Sequence, residues 1–179
     1  MSLRAYNNKS PKLGQHVYID EAATVIGDVS IADDSSIWPQ AVVRGDVNRI
    51  MIGARSNVQD QCVLHVTHDS EHQPGGFGLQ IGDDVTIGHG VILHGCEIGD
   101  GCMIGMGSMV MDGATLENEV MLAAGSLVTP GKQLSGGYLW VGRPARKQRA
   151  LTADELDYLR YSAAHYVRLK NSYIEQDKS

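Results

Sequence analysis

Aliphatic residues recur every six positions along most of the chain. Ile19, Val25, Ile31, Ile37 and Val43 form one unbroken run. Ile52, Val58 and Leu64 form a second, Ile81, Ile87 and Leu93 a third, and Ile98, Ile104, Val110, Leu116, Leu122 and Val128 a fourth. Two residues before most of them stands a small or branched side chain, such as Ala23, Val29, Ser56, Val85 or Ala114, and a glycine or short polar residue often follows. An amphipathic helix would repeat every 3.6 residues and a hairpin sheet would alternate in twos, so neither accounts for a strict six. A six-residue step predicts very short strands joined by tight turns. Three steps complete one triangular coil, and aliphatic side chains stack inside it at the inter-strand spacing of about 4.8 Å. The predicted class is an all-β solenoid, a parallel β-helix of hexapeptide repeats over residues 1–150 with an N-terminal arm at 1–15.

Three spacings break the step: nine residues from Val43 to Ile52, seventeen from Leu64 to Ile81, and five from Leu93 to Ile98. The second predicts a loop over residues 66–80, where Gln73-Pro74-Gly75-Gly76 supplies turn chemistry. Loops thrown out of a regular scaffold often carry function. Beyond Val128 the pattern stops at Thr129-Pro130-Gly131. Thr152-Ala-Asp-Glu155 then reads as a capping box. Leu156, Leu159, Tyr166, Val167, Leu169 and Tyr173 predict one amphipathic helix to about Glu175. Residues 151–179 are therefore expected as a C-terminal α-helix packing on the β-helix or against a neighbouring subunit.

Composition supports a narrow prism: 21 glycines and a single phenylalanine leave small aliphatics as the core. Cys62, Cys96 and Cys102 all fall at the small inward position, which makes them filler rather than reactive groups. Fifteen Lys and Arg against 21 Asp and Glu, with no basic run, argue against nucleic-acid or anionic-membrane binding. No apolar stretch approaches the roughly 18 residues of a membrane span, and residues 1–15 lack a signal-peptide core. A soluble, cytoplasmic protein is the expectation.

Chemistry enters through the histidines. Val43, Leu64 and Leu93 are the fifth, eighth and eleventh aliphatic positions, so three steps per coil stack them on one face. The residues that follow them are Arg44, His65 and His94, which puts two imidazoles in one column with an arginine below. His89 lies two residues after Ile87, the tenth position, and so on another face, above Asp60 at the same offset from Val58. If the three histidines share a metal, His89 must come from a second chain, and a cyclic trimer closes that arrangement three times. Three neutral imidazoles with a fourth position left for water suit a catalytic Zn²⁺, although Fe²⁺ or Co²⁺ could fill the same ligands.

Arg44-Gly-Asp46, Asn57-Val-Gln59-Asp60, His65 and Gly88-His89-Gly-Val-Ile-Leu-His94-Gly together resemble the gamma-class carbonic anhydrases of the hexapeptide-repeat superfamily, over roughly residues 12–150. The resemblance implies a left-handed parallel β-helix with a C-terminal helix, assembled as a homotrimer that hydrates CO₂ to bicarbonate. It implies that His65 and His94 of one subunit and His89 of the next bind Zn²⁺. Arg44, Asp46 and Asp60 match positions of intersubunit ion pairs and hydrogen bonds near the site. Gln59 matches a residue that orients the hydroxide, and Tyr161 matches a helix tyrosine near the active site. Val47 departs from the glutamate of the best-studied members, and the loop carries His68, Asp69, Glu71 and His72 instead of their acidic proton-shuttle segment. Val141-Gly-Arg-Pro-Ala-Arg146 resembles a segment of the hexapeptide acyltransferases, which leaves a CoA-linked transferase or thioesterase as one alternative and a catalytically weak metal-binding trimer as another.

Overall fold

The computed structural model describes residues 2–176, so Met1 of the arm and the last three residues of the expected 151–179 helical segment lie outside the described residues. From Tyr18 to Val141 the chain winds as parallel strands of mostly two or three residues into a three-faced β-helix. On the first face Ile19, Ile37, Val58, Ile87, Ile104 and Leu122 are cross-strand neighbours in succession. On the second the column is Val25, Val43, Leu64, Leu93, Val110 and Val128. On the third it is Ile31, Ile52, Ile81, Ile98 and Leu116. The register is the one that the six-residue step predicts, because each step turns one corner and every third step returns to the same face.

All three columns are buried, with Leu64, Ile87 and Leu93 fully so. Burying such a side chain contributes about 1.5–3 kcal/mol, which must offset a backbone ordering cost of about 1–2 kcal/mol per residue. A coil of short strands meets that cost only by stacking on its neighbours. The stack runs further than the sequence pattern suggested. Leu134 and Trp140 continue the six-residue step, pairing with Leu116 and Leu122. Trp140 fits at this position because it lies in the last coil, where the prism ends in the antiparallel strand Arg146–Ala150 rather than in another coil.

The nine-residue interval has a structural cause. Two long strands, Thr24–Ile31 and Val42–Ile52, run from the second face to the third without a turn. Gly27 and Gly45 stack at this bend: a Cβ on Gly27 would lie 2.4 Å from the Gly45 carbonyl oxygen, so only glycine fits. The register shifts just beyond them, and the additional residues on the second strand bring out exposed Val47 and half-buried Asn48. The long excursion is shorter than the expected 66–80, because Leu79–Ile81 is a strand in which Leu79 is buried opposite Ile50.

The helix, α1, spans Ala153–Gln176. Its capping box forms reciprocally: the Thr152 N–H donates to Glu155 (2.9 Å) and the Glu155 N–H donates to Thr152 Oγ1 (3.2 Å). Leu159, Ser162, Ala163 and Lys170 are buried against the first face. The aromatics that a narrow prism excludes gather beneath the helix instead, where Trp38 meets Tyr166 and Tyr173 edge-on at 5.7 and 5.2 Å. Lys170 Nζ, fully buried, donates to Asp34 Oδ1 at 2.8 Å and fastens the helix to a corner of the early coils.

Candidate metal centre

His65 and His94 are direct cross-strand partners on the second face. Their rings face one another, with His65 Nδ1 3.0 Å from His94 Nε2. The outer nitrogen of each ring is held by a carboxylate. His65 Nε2–H donates to Asp46 Oδ1 at 3.0 Å, and His94 Nδ1–H donates to Asp112 Oδ1 at 2.6 Å. Arg44 holds Asp46 in turn, and Thr67 Oγ1 donates to Asp112 Oδ2 at 2.8 Å. With both N–H groups so engaged, the facing nitrogens are both lone-pair acceptors when the rings are neutral, and either a shared proton or a metal ion between them would satisfy both.

The surroundings of His65 favour its neutral form. Burial pushes the His65 imidazole below its ordinary value, only partly opposed by its hydrogen bond to Asp46, so the neutral ring is favoured. Burial alone would raise the Asp46 carboxyl, but hydrogen bonds from Arg44 and His65 outweigh it and hold the group below the usual carboxylate range. The cysteines take no part. Burial pushes the Cys62 thiol up to about 11 and Cys102 to about 12, and raises Cys96 further, as expected of inert filler.

The loop leaves the second face directly after His65 and is pinned back over the site. Thr67 and Phe77 exchange backbone hydrogen bonds, and the Asn48 amide donates to the carbonyls of Thr67 and Gly75. Phe77 packs where the five-residue interval has shortened the corner. A Cβ on Gly95 would lie 2.6 Å from Phe77 Cβ and 2.5 Å from Asp112 Oδ1, and Gly95 has φ of 51°, so this corner requires glycine.

His89 sits at a different corner, half exposed, and its Nδ1–H donates to Asp60 Oδ2 at 2.8 Å. It borders a cavity of about 250 Å³ between α1 and the first face, which Gln59, Thr86, Met103, Met106 and Ser162 also line. Gln59 is buried and donates to Asn57 Oδ1, Asn57 donates to Thr86 Oγ1, and Thr86 meets Ser162 Oγ at 3.1 Å. The chain thus gathers Arg44, Asp46, His65 and His94 on one side, and Gln59, Asp60 and His89 on another. Tyr161 is not among the cavity residues. Tyr158 and Tyr166 line it, at four-residue intervals either side of Ser162, whereas Tyr161 is 57% exposed and stacks on His165.

Among the described residues, no three His, Cys, Asp or Glu side chains of one chain converge on a point that could hold a metal ion. Two imidazoles do fit one. Two ligands of a tetrahedral zinc lie about 3.3 Å apart, given Zn–N distances of about 2.0–2.1 Å, close to the 3.0 Å separation here. A carboxylate on the outer nitrogen of each ring is the usual support for a metal-ligating histidine. Beside this pair runs a surface that the sequence pattern alone did not single out. Val42, Val63, Ile92, Met109 and Leu127 each precede a second-face core residue, are cross-strand neighbours, and form an outward apolar stripe, with Val63 40% exposed. The equivalent positions of the third face are polar at Ser30, Gln80, Glu97, Thr115 and Gln133, with Met51 the apolar exception.

Comparison with known proteins agrees with this architecture. Residues 78–108 and 95–130 match the family described as bacterial transferase hexapeptide (six repeats). Protein YrdA of Escherichia coli (strain K12) is 52% identical, covering 97% of this chain and 95% of that protein. The mitochondrial gamma carbonic anhydrase 2 of Arabidopsis thaliana is 40% identical over 95% of this chain, which spans only 61% of that longer protein. A crystal structure of a hexapeptide transferase family protein from Anaplasma phagocytophilum superposes with a TM-score of 0.89 at 43% identity, covering 96% of this chain and 98% of the other. The chain belongs to the gamma carbonic anhydrase-like family of the hexapeptide-repeat superfamily, whose fold is the left-handed parallel β-helix with a C-terminal helix.

Proposed function

We propose that this chain is a zinc-dependent carbonic anhydrase that forms its sites at the seams of a homotrimer. The observation that carries the reading is the His65–His94 pair, whose inner nitrogens meet at 3.0 Å while Asp46 and Asp112 hold the outer ones. One chain supplies two ligands and keeps His89 on another face, with its Nε2 open and its Nδ1 fixed by Asp60. The apolar stripe beside the pair is the face on which a second copy would lie, and a cyclic trimer would then bring the partner subunit's His89 to each pair. His65, His94 and the partner subunit's His89 would hold the zinc, which when bound would supply a water acidified to a pKa of about 7, the value for carbonic anhydrases as a class.

The residues of this chain do the rest. Asp46, Asp60 and Asp112 fix the orientation of the three rings. Gln59, anchored through its amide to Asn57, keeps its side-chain oxygen available to orient the nucleophile toward CO₂. Arg44 braces Asp46, and removing it would leave a carboxylate without its cation at the seam. The cavity beside His89 includes the apolar side chains of Met103 and Met106, a surface that suits a nonpolar gas.

A second reading is favoured by one observation. The cavity of about 250 Å³ equals roughly eight waters' worth of space, more than a three-atom substrate needs, and would accept the acyl group of a CoA thioester. The Val141–Arg146 segment does not add to that reading, because it forms the hairpin by which the chain leaves the prism. Metal content together with stopped-flow CO₂ hydration on zinc-reconstituted protein tests the proposal. Zinc with turnover supports it, thioester turnover without CO₂ hydration replaces it with the second reading, and zinc with neither leaves a metal-binding scaffold. His89→Ala is expected to abolish zinc binding while leaving a folded trimer.

A further inference from the structure

Each histidine of the proposed centre has a carboxylate of its own, and only two of the three carboxylates come from the motifs that carried the resemblance. The third is Asp112, one coil above His94. Its Oδ1 accepts from His94 Nδ1–H at 2.6 Å and its Oδ2 from Thr67 Oγ1 at 2.8 Å. With both oxygens engaged, the carboxylate has one orientation. A free neutral imidazole exchanges between two tautomers, and a charged acceptor on Nδ1 selects the one that leaves Nε2 as the acceptor. In this chain that is the nitrogen facing His65. Thr67 also exchanges backbone hydrogen bonds with Phe77, and Phe77 packs against Gly95 beside His94. The loop therefore reaches the same ring by two routes.

We infer that Asp112 is a positioning residue that sets the tautomer and orientation of His94, and that Thr67 couples the loop to the metal centre through it. This rests on the zinc reading for its consequence, but the tautomer is a property of the chain alone. The test uses the full-length protein. In the metal-free state, ¹⁵N-histidine spectra at neutral pH should show His94 as the Nδ1–H tautomer. Asp112→Ala should give a mixture of tautomers while His89 is unchanged. Asp112→Asn keeps an acceptor oxygen in the same place and should restore the wild-type tautomer. Zinc affinity, measured by competition with a chelating dye, should fall about 10–100-fold in Asp112→Ala, the usual cost of losing such a partner, and recover in part in Asp112→Asn. Thr67→Val should weaken zinc by less, and adding it to Asp112→Ala should cost nothing further. A wild-type tautomer ratio with affinity within about twofold in Asp112→Ala would overturn the role of Asp112, and additive losses in the double variant would overturn the coupling. If the wild type binds no zinc, the metal reading fails, while the tautomer spectra still decide what Asp112 does.

Discussion

Val63→Glu tests the seam by placing a charge in the middle of the apolar stripe. Val63 faces outward and is 40% exposed in the single chain, so the substitution leaves the interior column of Leu64 and Leu93 intact. Burying a whole valine side chain is worth about 1.5–3 kcal/mol, which makes the open two-fifths worth about 1 kcal/mol at each seam. The carboxylate adds a desolvation penalty of several kcal/mol per ion, since its flanking residues Val42 and Ile92 offer no partner. With three such seams closing one ring, the total is on the order of 10 kcal/mol per trimer. Size-exclusion chromatography with light scattering should give a monomer of 19.3 kDa with wild-type circular dichroism and no bound zinc. Gln133→Glu, on the polar third face, is the matched control and should remain trimeric. A Val63→Glu protein that stays trimeric and holds a full complement of zinc would refute the placement of the seam.

Other outcomes follow from the interior and the helix. Leu93→Ala removes a fully buried side chain between Leu64 and Val110 in a prism that cannot collapse readily, and should cost about 2–5 kcal/mol in urea unfolding; a loss under about 1 kcal/mol would contradict the rigid-core reading. Hydrogen bonds from Arg149 and then from the Thr152 backbone pull the Glu155 carboxyl from its ordinary 4.5 down to about 2. A depressed folded-state pKa means that its contribution to the helix start is complete above about 4.5 and is lost as pH falls from there through about 2. An NMR titration of the Glu155 side chain with a midpoint near 4.5 would contradict the cap described here.

The repeat was legible because one period controls everything inside the prism. A step of six fixes which residues face inward, and three steps per coil fix which share a column, so the pairing of His65 with His94 followed from counting alone. The end of the prism was harder to see. Pro130-Gly131 reads as a stop, and Trp140 is too large for an interior coil, yet the step continues through Leu134 to Trp140 because a terminal coil has room for an indole. Asp112 was missed for a different reason. It lies one coil from its partner and at a different offset within the repeat from His94, and only the shortened corner at Gly95 brings it to the ring. Tyr161 was named from the resemblance, because a six-residue repeat does not set helix phase, and in the single chain it lies on the exposed side of the helix. The apolar stripe was written one residue before five of the six second-face core positions, Thr24 being the exception, but a sequence read alone does not distinguish an outward valine awaiting a partner from one left in water.

A metal shared between two chains can be assembled from two chains that each lack part of the ligand set, which subunit mixing exploits. His94→Ala chains lack one half of the ligand set and His89→Ala chains lack the other, so neither should bind zinc alone. After the two are unfolded together in equal amounts and refolded, about three-quarters of cyclic trimers contain both chains, and each of those has one intact seam of three. Zinc content measured on the mixture should therefore rise from near zero to about one quarter of the wild-type capacity. Zinc that stays at zero in verified mixed trimers, or full zinc in the His89→Ala protein by itself, would contradict a site shared across the seam.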